Sequence, residues 1–265
     1  MQKIEESFRL KYYFNIWRLE VDSINNNGYV IRLSEQALIS ILMSAIEAYA
    51  VENKNIRRGD KVQLETFGHL FGQEIKLEGG KNLYNVEFIH TDSTANQKNG
   101  SVTPNDDALE LKRDLAKSFW PHISYLGDFH THPDEHVDNI IELNNYYFSD
   151  GDRSCLLDHQ EVYASIGYKV GLVVAVASLD KRGTRPNQWH GIYQNRVEIT
   201  KGNIRVWIGA YVAFKDENGK AIYSKDNDPN VLLDIPSLLG LHIEHSKFGK
   251  VDGESKEKKY VSERA

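Results

Sequence analysis

Apolar and polar positions alternate with a period that changes several times along the chain. Leu38, Ile41, Leu42, Ala45, Ile46 and Tyr49 recur at helical spacing, and Ser34 stands where an N-cap hydroxyl is needed, so the pattern predicts a helix with one apolar face. Residues 62–75 carry strand-like side chains around Gly68 and Gly72, and residues 83–89 alternate well enough for a second strand. Pro104-Asn105-Asp106 opens a second helix, with Ala108, Leu111, Leu115 and Phe119 on one face. Residues 123–129 read as a strand, and a short helix should start near Ser149. Residues 170–179 are apolar, β-branched and continuous, the mark of a strand buried on both faces. Residues 196–214 supply at least one more strand, with a hairpin through Lys201-Gly202-Asn203.

The stretches between these segments are polar. Asn25-Asn26-Asn27-Gly28 reads as a turn closing an N-terminal extension over residues 1–30, a strand or hairpin. Residues 52–60 read as a loop, 92–106 as an exposed insertion and 134–148 as a linker. The last twenty residues hold six basic and four acidic side chains and little that could pack, so a disordered tail is expected. The domain expected to carry function spans 31–215, and 216–265 a C-terminal extension.

Composition narrows the chemistry. With 265 residues the chain can bury a sizeable core, and its 40% hydrophobic and 26% charged residues are ordinary for a globular protein. A net charge of -6 argues against a general polyanion binder, because phosphate contacts need a basic surface. Cys155 is the only cysteine, which excludes an intrachain disulfide and a cysteine-rich metal site and suggests a reducing compartment. No signal-peptide or membrane-spanning apolar run is present, so the cytoplasm is the expected location, with no membrane partner. Any metal must be held by histidine and carboxylate.

Gly127-Asp128-Phe129-His130-Thr131-His132-Pro133 supplies the histidines. Side chains at i and i+2 of a strand share a face, so both imidazoles can reach one ion, and a third protein ligand would leave one tetrahedral position for water. Two polar histidines on a strand edge are the plainer reading. Downstream, Ser149-Asp150-Gly151-Asp152 can add a carboxylate, although S-x-x-D is equally a helix-capping pattern, and the two readings are compatible. Upstream, Glu65-Thr66-Phe67-Gly68-His69-Leu70-Phe71-Gly72 places a carboxylate at the start of a glycine-rich strand, where a ligand or another backbone can approach closely.

Taken in order, the three segments resemble the JAMM (JAB/MPN) metallopeptidase family, whose pattern is E-x-x-G-x-L-x-G, then H-[ST]-H-P, then S-x-x-D. The resemblance covers roughly residues 30 to 180. It implies an α/β domain with a mixed, curved β-sheet flanked by helices, akin to the cytidine-deaminase fold. It further implies a Zn2+ ion on His130, His132 and Asp152, with Glu65 as general base and Ser149 as oxyanion partner. The implied substrate is a protein, ubiquitin or a ubiquitin-like or sulfur-carrier-like protein, cut at an amide bond at its C-terminus. The connection from Pro133 to Ser149 is longer than the family's pattern, so Asp150 stays open as the third ligand, with His136 and Asp158 as outside candidates. The insertions at 92–106 and 134–148 are where recognition would sit.

Two other readings stay in play: a non-catalytic MPN-type scaffold, and a RadC-like role in DNA metabolism or defence, which the acidic balance disfavours. Cys155 followed by His159 suggests a nucleophile pair, but a small buried hydrophobe is the expectation. His242-Ile243-Glu244-His245 lacks the spacing of a zincin, and Gly80-Lys81 lacks the upstream glycine of a P-loop. Trp120, Trp189 and Trp207 are expected as core or edge aromatics.

Overall fold

A computed structural model describes residues 28–51, 64–98, 100–134, 136–179, 188–189 and 194–238. The expected N-terminal hairpin, the 52–60 loop, the histidines at 242 and 245 and the expected disordered tail lie outside the described residues, apart from Gly28 and the start of the first strand.

Twelve strands and five α-helices are described. In chain order they are β1 (Tyr29–Leu33), α1 (Glu35–Ala50), β2 (Phe67–Lys76), β3 (Asn82–Thr91), β4 (Asn96–Lys98), β5 (Ser101–Thr103), α2 (Asp106–Phe119) and β6 (Ser124–Asp134). There follow α3 (Val137–Glu142), α4 (Asp150–Asp158), α5 (Gln160–Ile166), β7 (Val170–Ser178), β8 (Gln188–Trp189), β9 (Arg196–Lys201), β10 (Ile204–Lys215), β11 (Ala221–Tyr223) and β12 (Val231–Asp234). The main sheet runs β12-β1-β3-β2-β6-β7-β10-β9-β8, with β11 beside β10, and mixes parallel and antiparallel pairs. It curls almost into a barrel: the Leu233 N–H of β12, at one end of the order, donates to the Gln194 carbonyl just before β9 at 2.9 Å. The protein is thus α/β, built on one mixed, curved sheet.

Helix α1 forms as its periodicity predicts. Ser34 caps it, accepting the Ala37 N–H at 3.0 Å, and Leu38, Ile41, Ala45 and Tyr49 are buried. Those side chains join strand residues from β1 to β12 in one cluster inside the curl of the sheet. Burying each large aliphatic side chain contributes about 1.5–3 kcal/mol, so this cluster outweighs every other packing contact in the fold. The remaining helices lie on the other face, in smaller clusters around Phe71, Tyr125, Leu156 and Tyr168, and around Ile140 and Trp207.

Strand β6 lies mid-sheet, antiparallel to β2 and parallel to β7. Its register against β2 shifts between Leu70 and Phe71, which leaves an extra residue on β6. Leu126 and Phe129, three apart, therefore both join the cluster around α1, while Tyr125 packs on the opposite side. The glycines of β2 mark close approaches, as their place in a strand suggests. A β-carbon on Gly68 would meet the Phe129 ring at 2.3 Å, and one on Gly72 the Asn85 carbonyl oxygen at 1.8 Å.

Other expectations need correction. Helix α2 packs through Ala116, with Leu109 partly buried, while Leu111, Leu115 and Phe119 face solvent, at 61%, 43% and 69% exposure. Most of the apolar stripe that predicted this helix lies on its outer face, with Ala108 partly buried. Of the tryptophans expected as core or edge aromatics, Trp120 is exposed and Trp207 is fully buried. Residues 92–106 hold the hairpin β4–β5, and the 134–148 linker holds α3. Beyond residue 215 the sheet continues: β11 pairs with β10, and all four residues of β12 are buried, paired in parallel with β1.

Candidate metal centre

The alternation of β6 sends His130 and His132 to one face, and α4 brings Asp152 to meet them. His130 Nε2 lies 3.0 Å from His132 Nε2 and 3.2 Å from Asp152 Oδ1, and His132 Nε2 lies 3.5 Å from Asp152 Oδ2. A tetrahedral ion with nitrogen and oxygen bonds of about 2.0–2.1 Å spaces its ligand atoms about 3.3 Å apart. The three observed separations bracket that value. Among the described residues this is the one group of three histidine, cysteine or acidic side chains close enough to hold a metal ion.

The tautomers suit such a site. His132 Nδ1 is 2.8 Å from the Asn145 carbonyl oxygen, which can only accept, so Nδ1 carries the proton and Nε2 of the neutral ring presents a lone pair. Asn145 follows α3 in the 134–148 connection, after Asn144 at φ 55. That connection therefore orients the His132 ring. His130 is held by stacking instead: its ring lies 5.4 Å from that of Phe148, which stacks in turn on Tyr211 at 4.1 Å.

Both readings of S-x-x-D are realised together. Ser149 is the N-cap of α4, and a full capping box forms. Asp152 N–H donates to Ser149 Oγ at 3.2 Å, while the Ser149 N–H and hydroxyl each donate to Asp152 Oδ2 at 2.7 Å. The cap fixes one carboxylate oxygen and leaves Oδ1 toward His130. Asp150, the first residue of the helix, is exposed, and neither it nor His136 nor Asp158 belongs to the cluster. The Ser149 hydroxyl points at Asp152, not away into an open oxyanion position.

Glu65 precedes β2. Thr66 N–H donates to Thr131 Oγ1 at 2.8 Å and Thr131 N–H to the Thr66 carbonyl at 3.0 Å, so Glu65 is fastened next to the residue between the two histidines. The β4–β5 hairpin holds it from the other side: Glu65 N–H donates to the Lys98 carbonyl at 3.3 Å, and the Gln97 amide donates to Thr66 Oγ1 at 3.1 Å. The hairpin's base is closed by buried Asp92, which accepts the Thr94 and Asn105 N–H groups at 3.0 Å each.

The electrostatics mark the same place. Burial raises the Glu65 carboxyl to about 7, against the pull of His132 and with help from Asp152. Burial also raises Asp152, but the hydrogen bonds and charges of His130 and His132 outweigh it and hold the carboxyl well below the usual range. Burial lowers His130, whereas for His132 the Asp152 carboxylate and the Asn145 carbonyl overcome burial and raise it. Asp128, on the same strand, is pushed to about 7 by burial despite a 2.8 Å hydrogen bond from the Tyr168 hydroxyl. A half-buried carboxyl with a raised pKa beside two imidazoles and a second carboxylate marks a candidate functional site.

Cys155 is exposed, contrary to expectation, because the nine-residue α4 buries Leu156 and turns its neighbour outward. Its sulfur lies 3.5 Å from the Tyr163 hydroxyl. Sequence reasoning missed the Asn145 carbonyl and the Phe148 ring. Any residue can supply a carbonyl, so no signal existed for the first; aromatic Phe148 immediately before the cap serine was a usable one for the second.

No protein-family model matches the chain, and no curated protein sequence matches it. No helix of the described residues is long and apolar enough to cross a membrane.

Proposed function

We propose that this chain is a zinc-dependent peptidase or isopeptidase of the JAMM type. The observation that carries the reading is the pair of imidazole nitrogens 3.0 Å apart, each within 3.2–3.5 Å of an Asp152 carboxylate oxygen, with the half-buried Glu65 carboxyl in their field. Two imidazole nitrogens and one carboxylate oxygen suit zinc, and a three-ligand site leaves a fourth position for water. Bound there, zinc supplies Lewis acidity and makes a neighbouring water acidic near neutral pH.

The chain's own groups do the rest. Glu65 takes a proton from the attacking water as the water adds to the amide carbonyl, and gives that proton to the departing nitrogen, a lysine amine in an isopeptide. Asn145 and Phe148 keep the imidazoles turned to the site. Ser149 holds the Asp152 carboxylate, and when turned outward its hydroxyl donates to the substrate's carbonyl oxygen. The proposed substrate is the C-terminal amide of a ubiquitin-like or sulfur-carrier-like protein, with the β4–β5 hairpin beside Glu65 as the recognition element.

Incubation with ubiquitin-like fusions and isopeptide-linked chains tests the reading. Cleavage is expected, lost with a chelator and restored by zinc; cleavage indifferent to chelation would remove the metal from the reaction. The pH profile has a defined sign. Glu65 acts as carboxylate, and its pKa is raised to about 7. kcat/KM should therefore climb with pH toward a plateau, with a midpoint no higher than about 7, because a bound cation favours the charged form.

A further inference from the structure

The helix that carries Asp152 is tied down by a segment far along the chain. Helix α4 is nine residues long and buries only Leu156, so its own packing does little to fix its direction. Arg153, next to the ligand, pairs with the Asp226 carboxylate and donates to the Ser224 carbonyl at 3.4 Å. The same Asp226 oxygen accepts the Tyr211 hydroxyl proton at 2.9 Å, and the Tyr211 oxygen accepts the Phe148 N–H at 3.2 Å. The Arg153 guanidinium also lies 5.3 Å over the Tyr211 ring. Asn195 steadies the acidic residue itself, its amide donating to the Asp226 carbonyl at 3.0 Å. Two hydrogen-bond paths from one carboxylate thus reach the chain on either side of the Ser149–Asp152 capping box.

We infer that Asp226 is a positioning residue for the candidate metal centre: through Arg153 and Tyr211 it sets where α4 presents Asp152 to His130 and His132. This rests on the metallohydrolase reading for its consequence, though not for its geometry. The Arg153 and Asp226 side chains are 29% and 41% exposed, and ion pairs so placed contribute little to global stability. Removing this one should therefore move a ligand without unfolding the protein.

The test uses the full chain with Asp226→Ala, the milder Asp226→Asn, and Glu74→Ala, which breaks the exposed Lys76–Glu74 pair of 3.2 Å on β2, as a control. Zinc affinity by chelator competition, the visible spectrum of the cobalt-loaded protein and amide hydrogen exchange of the metal-free protein are measured. For Asp226→Ala we expect zinc to bind about 10–100-fold more weakly, the loss typical when a supporting partner of a metal ligand is removed. The cobalt bands should shift and the Asp152 and Arg153 amides exchange faster, with the unfolding temperature unmoved. Asp226→Asn should fall between wild type and alanine, and Glu74→Ala should match wild type. Unchanged affinity and exchange in both Asp226 variants would overturn the inference while leaving the metal site standing. A wild-type chain that takes up no zinc, yet shows faster α4 exchange in Asp226→Ala, would sink the metallohydrolase reading and keep the positioning role.

Discussion

Glu65→Gln is expected to lower turnover by about 10²–10⁴-fold, the usual worth of a general acid–base group, while zinc content stays at the wild-type level. Glutamine keeps the size and shape of the side chain but cannot take a proton. Glu65 is not one of the three donor residues, so metal binding should not depend on it. Its backbone link to Lys98 and the Thr66–Thr131 pairing involve no carboxylate and survive the change. Steady-state kinetics on metal-loaded protein, with zinc measured on the same sample, check both halves. Activity within tenfold of wild type would remove Glu65 from the mechanism.

The largest expected effect on stability comes from Gly127→Ala. Gly127 has φ 152, and a β-carbon there would stand 1.7 Å from the Val170 carbonyl oxygen. Val170 is its partner in the β6–β7 pairing, so the clash is backbone against backbone and no rotamer relieves it. Relief requires prising apart two central strands, one of which carries both histidines. The cost should exceed about 3 kcal/mol, a large part of the 5–15 kcal/mol that holds a typical domain together. Urea denaturation, with unchanged slope, should show a much lower midpoint or no folded baseline at all. A wild-type midpoint would mean that the Gly127 backbone does not press on Val170 in this way.

How far the sequence could be read depended on how local each cause was. The periodicity of α1, the apolar run of β7 and the turn between β9 and β10 are each complete within a short stretch, and all three elements form there. The outward stripe of α2 shows the limit of such reasoning. Spacing reveals a face but not its direction, and here the helix settles on small Ala116 while Leu111 and Phe119 stay in water. Strand β12 was unreadable for a different reason: four residues, Val231 to Asp234, gain their place by pairing with β1 about two hundred positions earlier and by the Leu233 bond to Gln194. Distance along the chain also hid Asp226, 73 positions from Arg153, since nothing near it in sequence hints at that partner. At the site, His130, His132 and Asp152 were legible because strand alternation and helix capping are local rules, and the structure brings those three together. The grip of the hairpin on Glu65 and of Asn145 on His132 runs through carbonyl groups, which leave no trace in residue identity.

The central claim is that these three side chains hold one metal ion. Its most direct test is the zinc content of the full chain after zinc loading and exhaustive dialysis, by elemental analysis, in wild type and in Asp152→Ala and Asp150→Ala. About one zinc per chain is expected in wild type and in Asp150→Ala, and next to none in Asp152→Ala, whose remaining histidines are too few for a closed structural or three-ligand catalytic site. A wild-type chain that emerges free of zinc, or an Asp152→Ala chain that keeps it, would contradict the account.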